Sequence, residues 1–286
     1  MARTLSIVGA GRVGISLGKR LRDLGWRIGA VVTRSKATAR AAVRMIGAGK
    51  PFDRLTADVC GADVVLFGTS DDALPGIARG LARVCGAGCK GKIVLHTSAT
   101  LDRLALAPLA KLGAATGSLH PMQAFGGKVI PHLKGVIFGI EGDPAARRLA
   151  QSIAKSLGGI PVVIETADKP AYHAAAVMAG GGIYPLLEAS LQLLMSIGFT
   201  REKASQTLLP LLRQIFDNIE RIGPRAAWTG PLSRGDYAVV AKHMQALRRY
   251  PPEFAKSYAA LAELAAQVLS KDPAAARKQL DRALKV

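Results

Sequence analysis

The stretch TLSIVGAGRVGISLGKRLRDLGWRIGAVVTRS, Thr4 to Ser35, decides how the first half of the chain is read. An apolar run, TLSIV, enters a glycine-rich turn and is followed by a helix-period segment and a second apolar run, RIGAVV. Gly9, Gly11 and Gly14 stand in the spacing G-x-G-x-x-G between strand and helix. In that context the first glycine permits the tight turn, the second lets a pyrophosphate approach the backbone, and the third lets helix pack on strand. The helix start then presents free N–H groups and a partial positive charge to phosphate. Gly9, Ala10, Gly11, Arg12, Val13 and Gly14 are therefore expected to cradle a dinucleotide.

The second strand ends on Thr33, Arg34 and Ser35, with no acidic residue between Asp23 and Asp53. A carboxylate at this place accepts hydrogen bonds from a ribose 2′-hydroxyl and repels a 2′-phosphate. Arg34 offers a planar, permanently charged fork instead. The expected cofactor is NADP rather than NAD.

Working outward, ADVVLFGT, KIVLHTS, ATGSLHP, GVIFGIEG and IPVVIET read as further strands, several separated by helical patterns. Such alternation predicts an α/β fold with a Rossmann-type doubly wound parallel sheet. From about Thr166 strands cease, and helices are expected over about 168–197, 200–222, 234–249, 251–270 and 273–285, punctuated by Gly and Pro. The division predicted is an NADP-binding domain over 1–165 and an all-helical substrate and dimerisation domain over 166–286.

Ligands of such sheets bind beyond the carboxyl ends of the strands. Those ends collect Thr69, Ser70 and Asp71, then His96, Thr97 and Ser98, then Ser118, His120 and Gln123. Thr69, Ser70, His96 and Ser98 are expected to border the nicotinamide, with Ser98 also a catalytic candidate beside Lys169 and His173, and His120 the substrate; Ser98 or Thr100 also suits a cap of the next helix. On the first C-terminal helix, Lys169, His173 and Gly180 fall at i, i+4 and i+11, on one face. Lys169 with His173 could supply a proton to a carbonyl oxygen, or Lys169 is a solvated first-turn lysine. The run Gly180–Gly182 marks either a close approach of ligand, with Gly181 on the substrate, or a helix break. Ser233 with Asp236 reads as a capping box, which places Arg234 at a positive helix end as a possible carboxylate anchor; a plainly well-capped helix is the alternative.

Bulk composition bounds the rest. The chain has 286 residues and a formal charge of +19, and residues 1–60 hold twelve Lys/Arg against three Asp/Glu. These cations are scattered, without a basic tail or interleaved aromatics, so a solvated basic surface is expected rather than a nucleic-acid site. No apolar run approaches the roughly 18–20 residues of a membrane span. The N-terminus passes directly into a strand with no cleavage pattern, and a cytoplasmic protein is expected. Cys60, Cys85 and Cys89 suggest neither a disulfide framework nor a metal site, since Cys85 and Cys89 lack a second pair or a nearby histidine.

GAGRVG, HTSAT, GSLHPMQAF, KPAYHAAAV and TGPLSRGD, in that order, resemble a bacterial family of Rossmann-like oxidoreductases with a C-terminal helical domain of unknown function. The family is related to pyrroline-5-carboxylate reductase, β-hydroxyacid dehydrogenase and ketopantoate reductase. The resemblance implies an NADP-dependent reductase of a small carboxylate-bearing carbonyl substrate, a homodimer built through its helical domain, with Lys169 as proton donor and His173 beside it. Imine reduction of the pyrroline-carboxylate type, or a non-catalytic NADP-binding sensor or scaffold, are the alternatives. Two departures are visible: Ala99 stands where the family pattern has glycine, and Gly180 and Gly181 where it has a small polar residue and an asparagine.

Overall fold

A computed structural model describes residues 3–127 and 129–285. They fall into two compact units, Met1–Gly181 and Gly182–Val286. The boundary is later than the expected 165/166. The first C-terminal helix docks on the sheet through its polar side chains and so belongs to the first unit.

The first unit is built on one eight-stranded sheet: β1 (Thr4–Val8), β2 (Arg27–Val32), β3 (Lys50–Phe52), β4 (Val64–Phe67), β5 (Ile93–His96), β6 (Ala115–Pro121), β7 (Ile137–Gly142) and β8 (Ile160–Val163). Their spatial order is β3-β2-β1-β4-β5-β6-β7-β8. The first six run parallel; β7 is antiparallel to β6, and β8 parallels β7. This is the doubly wound arrangement read from the sequence, with two additions. The short strand KPF was not anticipated, because three residues containing a proline give no periodic signal. The edge pair also reverses direction.

Helices α1 (Arg12–Asp23), α2 (Lys36–Ile46), α3 (Leu74–Cys85), α4 (Ala107–Ala110) and α5 (Pro144–Ser156) connect these strands. One face of the sheet packs Ile7, Leu66, Leu95, Leu119 and Ile140 against Leu17, Leu21 and Leu149. The other packs Val8, Val65 and Phe67 against Leu74, Ala78 and Leu81. Both faces are covered, which explains the continuous apolar strands. Each fully buried Leu or Phe contributes roughly 1.5–3 kcal/mol.

Beyond β8 come α6 (Lys169–Ala176) and a π-helical turn, Val177–Gly181. The second unit holds α7 (Ile183–Ser196), α8 (Arg201–Ile222), α9 (Pro224–Ala227), α10 (Pro231–Arg234), α11 (Tyr237–Leu247), α12 (Pro252–Val268) and α13 (Pro273–Leu284). Its small core, including Val240, Ala262, Ala266 and Leu280, is made by α11–α13. Helices α7 and α8 bury only Leu191 and Ala204, while Tyr184, Leu211, Ile215 and Phe216 are exposed.

Against expectation, one helical stretch, Thr166–Ser196, is long and apolar enough to cross a membrane, with a mean hydropathy of 1.3 in its most apolar window. Its apolar residues are interspersed with small ones, so no uninterrupted run drew notice. The capping-box reading also fails. The Ser233 hydroxyl donates to the Gly230 carbonyl from within α10, and Asp236 flanks α11 without a side-chain cap.

Candidate active site

The carboxyl ends of β1, β2, β3 and β4 converge on a cavity of about 760 Å³. Gly9–Gly11, Thr33–Ser35, Thr69 and Ser70 line it, all residues singled out in the sequence, and Gly68, Thr38 and Arg54 join them. The order of strands reverses between β1 and β4, the switch point where such sheets take ligands.

The three glycines have different causes. Gly9 has φ +85°, and a Cβ there would lie within 3 Å of Thr69 and the Gly68 backbone. At Gly14 a Cβ would stand 2.9 Å from the Gly9 carbonyl oxygen. Both are required by the protein's own packing. Gly11 is not: the nearest protein atom would be 3.8 Å from its Cβ. Gly11 lines the cavity and precedes α1, which has no side-chain cap and no acidic residue in its first turn. The room it leaves is room for a ligand on uncapped helix N–H groups. The Thr69 hydroxyl, buried and without a partner among the described residues, borders the same space.

At the far end of the cavity, Ser35 caps α2 by accepting a hydrogen bond from the Thr38 amide. The Thr33 and Thr38 hydroxyls lie 2.6 Å apart. Arg34 is exposed between them and pairs with no acidic group among the described residues. Arg12, Val13 and Gly14 fall outside the cavity lining, and the Arg12 guanidinium donates to the Phe125 carbonyl at 3.5 Å.

A second polar group grows from the sheet itself. Register pairs Phe67 with His96, His96 with Ser118, and Ser118 with Glu141. One row across the sheet therefore passes from apolar to charged, with directly paired side chains on the same face. Glu141, only 7% exposed, accepts a hydrogen bond from the Arg103 amide at 2.9 Å. Lys169, only 2% exposed, is not the solvated lysine of the alternative reading. Its ammonium donates to the Ser118 hydroxyl at 3.0 Å. Three residues on, the Tyr172 hydroxyl meets His120 Nδ1 at 3.1 Å, two residues along β6. Helix and strand thus zip together, i to i+3 against i to i+2.

His173 stacks edge-on to His120 with centroids 6.2 Å apart, and its Nδ1 is buried without a partner among the described residues. Ser98 donates to Asp71 at 2.8 Å and accepts from the Thr100 and Leu101 amides, so it makes a turn rather than a helix cap. Asp71 adjoins Ser70 at the cavity, and its charge also acts on Lys169, His96 and His120.

Burial sets the electrostatics. Desolvation pulls the Lys169 ammonium below its ordinary range, opposed by Glu141, Asp102 and Asp71. It pushes the Glu141 carboxyl up, against the Arg103 amide and the Lys169 charge. His96 and His120 are both held down at about 4, chiefly by burial, so both rings are neutral at pH 7.

Four expectations are corrected. His96 does not border the cavity: it is fully buried, with Nε2 on the Asp102 carbonyl and Nδ1 accepting from the Ser98 amide. Ser98 does not line the cavity either; Gly180 and Gly181 lie in a π-helical turn, with open space beside Gly180. Arg234, in the second unit, ends α10 rather than starting a helix and pairs with Asp236 at 3.0 Å. The sequence also gave no warning that Cys60, Cys85 and Cys89 meet, their sulfurs all within 4.8 Å. Cys60 and Cys85 are joined as a disulfide because α3 returns its end to the turn before β4.

A family model described as a Rossmann-like domain matches residues 2–121, and a domain of unknown function, DUF2520, matches residues 136–265. The chain is thus similar to a Rossmann-like domain over its first part and to DUF2520 over most of the remainder. The cavity falls within the Rossmann-like match, whereas Glu141, Lys169, Tyr172 and His173 fall within DUF2520. No curated protein matches the chain in sequence. Solved structures do share the fold. A protein of Bacteroides fragilis described as a candidate NADP oxidoreductase superposes with a TM-score of 0.77 at 21% identity, over 91% of this chain and 96% of its own. A reductive aminase of Aspergillus terreus, in complex with NADPH and ethyl-5-oxohexanoate, gives 0.64 at 15% identity over 87% and 88%. A Plasmodium falciparum pyrroline carboxylate reductase with NADP bound gives 0.59 at 11% identity over 99% and 96%.

Proposed function

We propose that the chain is an NADP-dependent reductase of a small carbonyl or imine compound bearing a carboxylate. The observation that carries this reading is Gly11. No protein contact requires a glycine there, yet it lies on the cavity wall beside uncapped helix N–H groups and the unpartnered Thr69 hydroxyl. Gly9–Gly11 would hold the pyrophosphate, Thr69 and Ser70 the nicotinamide end, and Thr33, Arg34 and Ser35 the 2′-phosphate. When bound, NADPH supplies a hydride. The fold is shared with structures that hold NADPH and NADP, which supports the same choice.

The chain's own contribution is a proton. Lys169 is held by Ser118 and biased by Glu141, a buried donor whose ammonium is easier to deprotonate than one in water. His173 and the His120–Tyr172 pair stand next along the helix and are assigned to orient the substrate. The buried lysine favours a reductase over a non-catalytic sensor, since a sensor needs no such donor. Carbonyl and imine substrates share this machinery, and a panel of keto acids and cyclic imines separates them.

The exposed apolar residues of α7 and α8 support a homodimer through the helical unit, in which a second copy covers what would otherwise face water. Sedimentation equilibrium without detergent tests it: a monomer, or a chain that stays dispersed only in detergent, would count against it.

The deciding experiment is a fluorescence titration with NADPH and with NADH, on wild type and Arg34→Ala. Micromolar NADPH binding, much weaker NADH binding, and loss of that preference in the variant are expected. Failure of both nucleotides to bind would overturn the reading.

A further inference from the structure

At the opposite edge of the sheet from the cavity, three cysteines converge. Cys60 lies in the turn before β4, Cys85 ends α3, and Cys89 closes the turn before β5. Cys60 and Cys89 are buried, and Cys85 is partly exposed. The Cys89 thiol is free, with its sulfur 3.9 Å from that of Cys60.

A free thiol beside a disulfide suggests exchange, but the arrangement is wrong for it. Displacement at sulfur is in-line, which would set the outer sulfurs about 6 Å apart given a bond of about 2.05 Å. All three sulfurs here lie within 4.8 Å of one another. Cys89 therefore stands beside the disulfide, and the three sulfurs form a triangle.

A triangle suits a shared ion. With metal–sulfur bonds of about 2.3 Å, sulfurs lie about 3.8 Å apart in tetrahedral and about 4.0 Å apart in trigonal coordination. The Cys60–Cys89 separation of 3.9 Å falls between the two. We propose that the reduced chain binds one thiophilic d10 cation, Zn2+ or Cu+, on Cys60, Cys85 and Cys89.

The surroundings favour three thiolates once a cation is present. No acidic residue lies between Asp72 and Asp102, while Arg83, Lys90 and Lys92 flank the two later cysteines. Opening the Cys60–Cys85 bond takes two electrons and two protons from a dithiol, which leaves as its cyclic disulfide. Uptake of the cation then releases three thiol protons. The site lies before β4 and β5 whereas Gly11 follows β1, and it is independent of the nucleotide reading.

The test is anaerobic titration of the dithiol-reduced, desalted chain with Zn2+ and, separately, with Cu+, against a competing chelator. One ion per chain, a thiolate-to-metal charge-transfer band, and loss of all three reactive thiols are expected. Cu+ alone identifies three-coordinate binding; both ions identify a site that takes a fourth ligand from solvent beside Cys85. Cys89→Ser leaves the disulfide pair intact, and it is expected to weaken binding at least about 100-fold with an unchanged circular dichroism melt. Absence of a retained ion, unfolding on reduction, or equal affinity in Cys89→Ser would overturn the proposal.

Discussion

The Lys169 ammonium donates to the Ser118 hydroxyl across 3.0 Å, joining the first turn of α6 to a strand 51 residues earlier. Both groups are buried, so the bond holds a cation where water cannot. Removing its acceptor with Ser118→Ala leaves that cation poorly satisfied, at a cost of about 1–3 kcal/mol. Thermal unfolding measures this loss. Lys169→Ala should instead abolish turnover while NADPH affinity, read by fluorescence, stays within about threefold of wild type.

Glu141 raises the affinity of Lys169 for its proton. Its replacement in Glu141→Gln removes that help while keeping an acceptor for the Arg103 amide. The alkaline limb of the kcat/KM profile, where the donor loses its proton, should therefore move to lower pH. An unmoved limb with lower overall activity would mean that Glu141 is only structural.

Gly11→Ala and Gly14→Ala separate ligand from fold. A Cβ at Gly14 presses on the Gly9 carbonyl, so about 1–3 kcal/mol of stability should be lost. A Cβ at Gly11 meets no protein atom closer than 3.8 Å. That variant should melt like wild type and bind NADPH at least about tenfold more weakly. Equal binding by Gly11→Ala would remove the main support for the proposed cofactor site.

His96 and His120 bear on stability in acid. Each is held at about 4 in the fold, against 6.5 for a free ring. Between those values the unfolded chain binds more protons, so folding weakens as pH falls from about 6.5 toward 4. The stabilising contribution is complete above about 6.5. Urea unfolding at a series of pH values should show uptake approaching two protons in that window, and His120→Gln should remove about one.

The sequence disclosed most where chemistry and local pattern coincide. The glycine triplet follows a strand directly, Arg34 lies just past the next one, and Lys169 and His120 stand near element ends with His173 one turn into α6. Less legible were partnerships made by register. Glu141 sits in an apolar run, GVIFGIEG, and only its pairing with Ser118 brings it to the lysine. Tyr172 drew no notice because its partner lies 52 residues away. The cysteines were set aside by spacing along the chain, whereas a returning helix closes 25 residues between Cys60 and Cys85. The π-helical turn at Val177–Gly181 was foreseen only as one of two meanings of a glycine run.

The reversal of β7 and β8 has a directional consequence. A strand parallel to the first six would release the chain at the edge where Gly9 and Thr69 lie, and the next helix would descend from it. Because β8 runs the other way, the chain emerges at the lower edge, and α6 has to climb. It passes Ser118 with Lys169 and then His120 with Tyr172, in ascending order along β6. Two inverted strands at the sheet margin thus turn the helix into an upward-facing arm, delivering its side chains toward the ligand edge instead of away from it.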